Sequence, residues 1–339
     1  MRRLTTIALV LLGPCPAALA QTTYKLDPDA GWKAQDQAAP DPERAAIDGA
    51  RRLIAEGKFS DARSTLTDWI DAHQESDSPL LAEAYFLRGN AKLGQGKEYS
   101  ALFDYEKVAT KYPESPSFSH ALEREFDVAI MYLNGLRKPS LGLRIDSGVE
   151  VAEEIILRIH ERLPKSRLDE EAELALADFY YRDRDLKMAA TAYDCFLINF
   201  PKSSLRERAM RRRTFATIAQ FKGPNYDASG LVEAKYQVQE YQQQFPIEAE
   251  QNGMGDALQA RLDESAAAQM LSVARWYLRH GDPASARITL SRLVQQHPAT
   301  AASHEAISLM DQHKWLKPAQ PTKTASTPAA APAEPEAGK

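Results

Sequence analysis

Seven histidines (His73, His120, His160, His280, His297, His304 and His313) are the first residues to test for metal chemistry. A helical zinc site needs two histidines four residues apart on one face, as in H-E-x-x-H. No such pair occurs in the sequence. His297 and His304, seven apart, could share a face, but His297 immediately precedes a proline and reads as a surface residue. The phrase Gly94-Gln95-Gly96-Lys97 resembles the end of a phosphate loop, where a Ser or Thr after the lysine would hold magnesium. Glu98 stands there, and Ala91 occupies the first glycine position, so the phrase reads as a hairpin turn. Cys195, between Tyr193 and Phe196, is expected as a small core residue, because a reactive thiol needs an electropositive and partly open setting. Asp169-Glu170-Glu171 reads as the start of a helix, where negative charge complements the dipole, in preference to a metal site. There is no G-x-S-x-G, and no serine has an evident histidine and carboxylate around it. These residues point to no catalytic constellation, no cofactor and no metal.

The densest basic cluster is Arg206, Arg208, Arg211, Arg212 and Arg213. On a helical wheel Arg208, Arg211 and Arg212 share one face, while Arg206 and Arg213 point almost oppositely. A nucleic-acid strip would need one continuous face with aromatic stacking partners. The split favours ion pairs with neighbouring helices. Composition agrees: of 339 residues 42 are basic and 47 acidic, a formal balance of −5. A mildly acidic chain exerts little pull on nucleic acid or anionic lipid. Hydrophobic content of 44% supports a sizeable core.

Arg2 and Arg3, the apolar run Ile7 to Leu12 and the ending Ala18-Leu19-Ala20 describe a secretory signal over residues 1–20. Cleavage after Ala20 would start the mature chain at Gln21. A second reading takes Cys15 as an acylated lipoprotein cysteine, with Leu12 in a suitable place and Gly13-Pro14 an unusual pair before it. No segment approaches the ~20 apolar residues needed to span a bilayer. Residues 21–42 read as an extended leader. Residues 318–339, rich in Pro and Ala, cannot bury enough surface to offset their ordering entropy and are expected to be disordered.

Between these ends, residues 43–317 carry a helical pattern with a repeat. Five of ten prolines close the same phrase: Tyr112-Pro113, Leu163-Pro164, Phe200-Pro201, Phe245-Pro246 and His297-Pro298. Twelve residues before each stands alanine: Ala101, Ala152, Ala189, Ala234 and Ala286. None of the other five prolines has alanine there, so chance is a poor account. Alanine permits two helices of a hairpin to cross closely, and proline ends the second helix because it lacks an N–H and biases its predecessor away from helical angles. A small residue and a tyrosine recur three apart, Ala129 with Tyr132, Ala177 with Tyr180 and Ala274 with Tyr277, on one face of the first helix. Gly57 and Gly281 precede the crossing alanines Ala62 and Ala286 by five, where the turn must come. Ser166-x-x-Asp169 and Ser204-x-x-Glu207 read as helix caps. Gaps between closing prolines of 51, 37, 45 and 52 residues exceed the ideal of about 34. The excess falls at Gly135–Gly148, Gly223–Gly230 and around Gly253-Met254-Gly255.

The small-x-x-Tyr first helix, turn glycine, crossing alanine and closing proline resemble the tetratricopeptide repeat. The expected fold is therefore all-α, a tetratricopeptide-like α-solenoid of about six helix pairs, closing near residues 74, 113, 164, 201, 246 and 298. The junctions YPESPSFSHA, LPKSRLDEEA, FPKSSLRERA and HPATAASHEAISLM resemble those of the BamD family, the tetratricopeptide component of the outer-membrane β-barrel assembly machinery. The last pair, from Ser272-Val273-Ala274 through Tyr277, Arg279 and Gly281 to Leu309-Met310, resembles it most. The family usually has five pairs and a clean lipidation cysteine, and this sequence departs on both.

The resemblance implies a non-enzymatic, exported binding scaffold, periplasmic, either free or attached to the inner face of the outer membrane. Its protein partners would be a barrel-assembly component and substrate segments. In the tetratricopeptide frame, the side chains turned toward a concave face are Phe86, Asn90 and Leu93, then Phe126, Ile130 and Leu133, then Leu174, Asp178 and Tyr181. Packing of neighbouring first helices on one another is the alternative for each. By the same resemblance Arg261, Arg275 and Arg279 would face the barrel-forming partner. Two other functions stay open: a periplasmic adaptor of the cell-division or Tol-Pal type, and a cell-wall enzyme subunit.

Overall fold

The closing prolines and crossing alanines govern where the helices run and how near they come. The computed structural model describes residues 24–27, 31–34, 42–76, 78–140 and 143–316. The export segment with Cys15 and the tail 318–339 lie outside them. The chain divides into two units, Met1–Val149 and Glu150–Lys339.

In the first unit, a hairpin of β1 (Tyr24–Asp27) and β2 (Gly31–Ala34) precedes α1 (Pro42–Ala55), α2 (Phe59–His73), α3 (Leu81–Gly94), α4 (Glu98–Lys111) and α5 (Ser117–Leu133). A second antiparallel hairpin follows, β3 (Arg137–Ser140) with β4 (Leu143–Ser147). In the second unit come α6 (Val149–Arg162), α7 (Arg167–Asp183), α8 (Leu186–Asn199), α9 (Arg206–Ala219) and α10 (Ser229–Gln244). The short α11 (Pro246–Gln251) leads to α12 (Asp256–Arg279), α13 (Pro283–Gln296) and α14 (Ala301–Gln312). Successive helices pack in order from α1 to α5, from α7 to α11 and from α12 to α14, and α1 with α3, α3 with α5, α7 with α9, α10 with α12 and α12 with α14 also touch. This is the adjacency of a tetratricopeptide array, in which each first helix meets the next.

All six crossing alanines, Ala62, Ala101, Ala152, Ala189, Ala234 and Ala286, have zero exposure. Four residues on, Leu66, Tyr105, Ile156, Tyr193, Val238 and Leu290 fill the space beside them and are equally shielded or nearly so. Each of α4, α6, α8, α10 and α13 stops one or two residues before its proline. The turn glycines Gly57 and Gly281 adopt φ of +75° and +78°, angles that a side chain would disfavour. Gly89 answers a different need: a Cβ there would lie 2.4 Å from Cε1 of the buried Tyr105 ring.

The three expected sites of excess length hold real insertions. The Gly135–Gly148 stretch folds as the β3–β4 hairpin, where a loop was expected. Arg144 anchors it by reaching the Gly96 carbonyl oxygen and Glu98, each at 2.5 Å. Residues 220–228 form the α9–α10 loop, and α11 with a 24-residue α12 accounts for the last gap. The leader also contains a hairpin, β1–β2, where only extended chain was expected.

Two local expectations are corrected. Ser166 does cap α7, accepting from the Asp169 N–H at 3.1 Å. Ser204 does not cap α9, which begins only at Arg206; Ser203 instead accepts from the Leu205 N–H at 2.9 Å. The Glu207 carboxylate is engaged elsewhere, by the Tyr241 hydroxyl and by Arg211 at 3.1 Å. Cys195 is exposed, because the inward face of α8 is set by Tyr193 and Phe196 and a residue between them turns outward. Its thiol is still no activated nucleophile: partial burial, with Glu173 and Asp194 nearby, raises its pKa.

Candidate protein-binding surface

The first-helix positions expected to meet a partner divide by burial. Phe86 is half-buried, with its ring 6.1 Å from those of Tyr105 and His120. Asn90 uses its side-chain oxygen to accept from the Tyr105 hydroxyl at 2.9 Å, and Leu93 packs on the same core. Phe126 and Ile130 on α5 are half-buried and retain some outer surface. Leu133 and Leu174 are core residues, 4% and 5% exposed, and this corrects their assignment as surface contacts. Leu174 belongs to the apolar core that α7 shares with α8, α9 and α10, which a lone hairpin pattern does not reveal.

Asp178 and Tyr181 are placed differently. They line a pocket of about 780 Å³ with Arg182, Arg184, Leu186, Arg208, Arg212, Phe215 and Ala219. Helix α7 supplies Asp178 and Tyr181, its left-handed C-cap is Arg184, and α9 supplies the other two arginines. Asp178 organises the group. Its Oδ1 accepts from the buried Tyr193 hydroxyl and from Arg212 Nη1, both at 2.5 Å, and Oδ2 accepts from Arg208. Burial, reinforced by this carboxylate, pushes the Tyr193 hydroxyl well above its ordinary pKa, so it stays a donor. The Arg212 guanidinium lies 5.7 Å from the centroid of the Tyr181 ring. The lining thus carries four guanidinium groups and one carboxylate beside two aromatic rings. Such a pocket suits an anionic group carried on an apolar segment.

The remaining arginines of the basic cluster are paired, as the split wheel implied. Arg213 bridges Asp194 and Glu240 at 2.9 Å each, Arg211 meets Glu207, and Arg206 donates to Gln244 and the Leu197 carbonyl oxygen. On α12, Arg261, Arg275 and Arg279 are all exposed, but Arg275 is engaged by Glu305 of α14.

The profile of the family described as "YfiO: Outer membrane lipoprotein" matches residues 146–327, more than half of the chain. The chain belongs to the YfiO family. A tetratricopeptide repeat profile matches residues 83–115, which hold α3 and α4. No curated protein matches the chain. Among solved structures, a tetratricopeptide repeat protein from Parabacteroides merdae is 13% identical, covering 81% of this chain and 87% of its own, at a TM-score of 0.32. The C-terminal part of a TPR repeat-containing protein from Cytophaga hutchinsonii is 12% identical, covering 77% and 99%, at 0.31. The yeast Sti1 TPR2AB domain in its complex with an Hsp90 peptide is 15% identical, covering 81% and 84%, at 0.25. The YfiO match takes in the whole second unit as far as α14, and with it the arginine pocket.

One cluster escaped the reading of the sequence. His160 of α6 and Asp169 and Glu173 of α7 bring three ligand-type atoms within 4.8 Å of one another. The histidine is separated from the acids by a helix junction, so no helical motif joins them. The available signal was Asp169-x-x-x-Glu173, two acids on one helical face just after a histidine-bearing helix end.

Proposed function

We propose that this YfiO-family chain is a non-enzymatic binding scaffold of the cell envelope, acting in outer-membrane protein assembly in the manner of BamD. The observation that carries the reading is the arginine pocket of α7 and α9, within the region that the family profile matches. Asp178 and Tyr193 hold Arg208 and Arg212 in place, so their remaining donors face a ligand without first having to be ordered. Tyr181 and Phe215 supply apolar contact. A substrate segment bearing a carboxylate and an apolar side chain would be recognised there by both. Phe86, Asn90, Leu93, Phe126 and Ile130 would offer a second, shallower contact surface on the first unit. Arg261, Arg275 and Arg279 would serve the barrel-forming partner.

The family's description as outer-membrane lipoproteins agrees with an envelope location, and no described helix is long and apolar enough to cross a membrane. The test is affinity purification of the chain from detergent-solubilised envelopes, with mass spectrometry of what accompanies it. Recovery of a large outer-membrane β-barrel protein is expected. Recovery of cell-division or Tol-Pal components without such a barrel would favour the adaptor reading, and turnover of cell-wall substrate by the purified chain would overturn the scaffold reading. In the same format Arg275→Glu with Arg279→Glu should lose the barrel partner, whereas Phe86→Ala with Phe126→Ala should retain it.

A further inference from the structure

Helices α6 and α7 meet at a tight turn, and the groups that converge there are unusual for a turn. His160 comes from the last turn of α6, Asp169 from the first turn of α7, and Glu173 from one turn further on. His160 Nδ1 lies 3.2 Å from each Asp169 carboxylate oxygen and 3.0 Å from Glu173 Oε1. A single ring N–H has one direction, so it cannot make three well-aligned hydrogen bonds. Asp169 is wholly buried, and the Glu173 side chain is 12% exposed. Glu173 Oε1 accepts from Asn199 Nδ2 at 2.6 Å, while its Oε2 is shielded from solvent and has no hydrogen-bond partner. Glu173 thus presents a shielded carboxylate oxygen without a donor beside the buried Asp169 carboxylate. The Lys165 backbone N–H, donated to Asp169 Oδ2 at 2.8 Å, fixes the Asp169 carboxylate.

We propose that His160, Asp169 and Glu173 form a divalent-cation site of the zinc type that staples α6 to α7. Zinc takes imidazole nitrogen and carboxylate oxygen at about 2.1 Å, and a tetrahedron of that size holds its ligand atoms about 3.4 Å apart. The nitrogen-to-oxygen separations of 3.0 to 3.2 Å need open by only a few tenths of an ångström. A 2+ ion balances two carboxylates with a neutral imidazole. It takes the lone pair of Nδ1 in the neutral ring, whose single proton then sits on Nε2, so no net proton is released. The His160 side chain is 39% exposed, which gives the ion a route in and water a place as fourth ligand. Two ligands are rigid in the helix frame, so the ion's effect is to lock the junction between one helix pair and the next.

The test uses the mature chain, stripped with chelator and titrated with zinc chloride by calorimetry and with cobalt chloride by visible absorption. One equivalent of zinc should bind, with a tetrahedral cobalt spectrum and a raised melting temperature. His160→Ala and Glu173→Gln should each weaken binding at least tenfold, and His297→Ala should leave it unchanged. His160→Gln, which retains a donor for the carboxylates, replaces His160→Ala if the latter fails to fold by circular dichroism. Affinity should fall on acidification, because protons compete with the ion for its ligands. Absence of stoichiometric binding, or binding that Glu173→Gln and the His160 variant leave intact, overturns the site.

Discussion

Replacing Asp178 by alanine tests whether the arginine pocket is a built structure or an accident of surface charge. Tyr193 has zero exposure, and its hydroxyl donates to Asp178. Removing the carboxylate strands that hydroxyl, at a cost of about 1–3 kcal/mol. Arg208 and Arg212 are 37% and 34% exposed, so each ion pair is discounted for solvent and contributes only about 0–1 kcal/mol. Relief of the desolvation of Asp178 offsets part of this. The expected loss is about 2–4 kcal/mol, dominated by the tyrosine. Tyr193→Phe removes only the donor and should cost about 1 kcal/mol, since Asp178 keeps both arginines. The double variant should cost no more than Asp178→Ala alone, because no stranded hydroxyl remains, and the cycle should show coupling of about 1 kcal/mol or more. Urea unfolding followed by far-ultraviolet circular dichroism measures all three. Repeating it in 0.5 M salt, a concentration chosen to shorten the screening length to a few ångströms, should shrink only the arginine part. Additive effects, or a loss below about 1 kcal/mol for Asp178→Ala, would refute the reasoning, since both would mean that Tyr193 does not depend on this carboxylate.

Three further outcomes are expected. Ala189→Leu inserts a branched side chain at a crossing with zero exposure and should destabilise by about 1–3 kcal/mol in the same urea assay; an unchanged midpoint would misplace the crossing. Gly148→Ala would put a Cβ 2.0 Å from Tyr132 Cδ1 and should lower the melting temperature, whereas Gly230→Ala, which meets nothing within 4 Å, should not. Asp263 is subject to burial, which would raise its pKa, but its hydrogen bonds with Lys235 and His297 and their charges outweigh this and lower it below 3.8. Its stabilisation is therefore full above the unfolded value near pH 4 and lost as pH falls through the lower folded value. Unfolding free energies of the wild type and Asp263→Asn should converge on acidification below pH 4 and differ at pH 6; a difference constant across that range would exclude the pairing.

What could be read from the sequence was what repeats. The alanine and proline columns recur at fixed spacing because every helix crossing and every helix end poses the same steric problem. They located six buried alanines and the ends of five helices. The cap expected at Ser204 fails because α9 starts only at Arg206, after a turn in which Ser203 accepts from the Leu205 N–H, and the N-cap is Leu205. The Gly135–Gly148 stretch was legible only as excess length and not as the β3–β4 hairpin, whose register shifts between Lys138 and Pro139. Leu133 and Leu174 looked accessible because a single hairpin pattern does not say what the next one covers. The His160 cluster was hidden for a similar reason: its members are neighbours across a turn, with spacings of nine and thirteen that no helical period produces.

Among the described residues no second helix follows α14. Helix α14 lays Ala302, Ala306 and Met310 against the core of α12 and α13, which includes Leu271, Ala274 and Leu293, and its other face carries His304, Glu305 and Asp311 toward solvent. A stack of helix pairs exposes at each end the same kind of apolar face that its interior joints bury, so an uncovered end is a template for another molecule. By occupying that face with half a repeat and presenting charge beyond it, α14 makes the addition of a further copy unfavourable. Within the second unit α14 thereby shields the α12–α13 core, and a chain truncated before Thr300 should bare Leu271, Ala274 and Leu293 and self-associate through them, which size-exclusion chromatography would show.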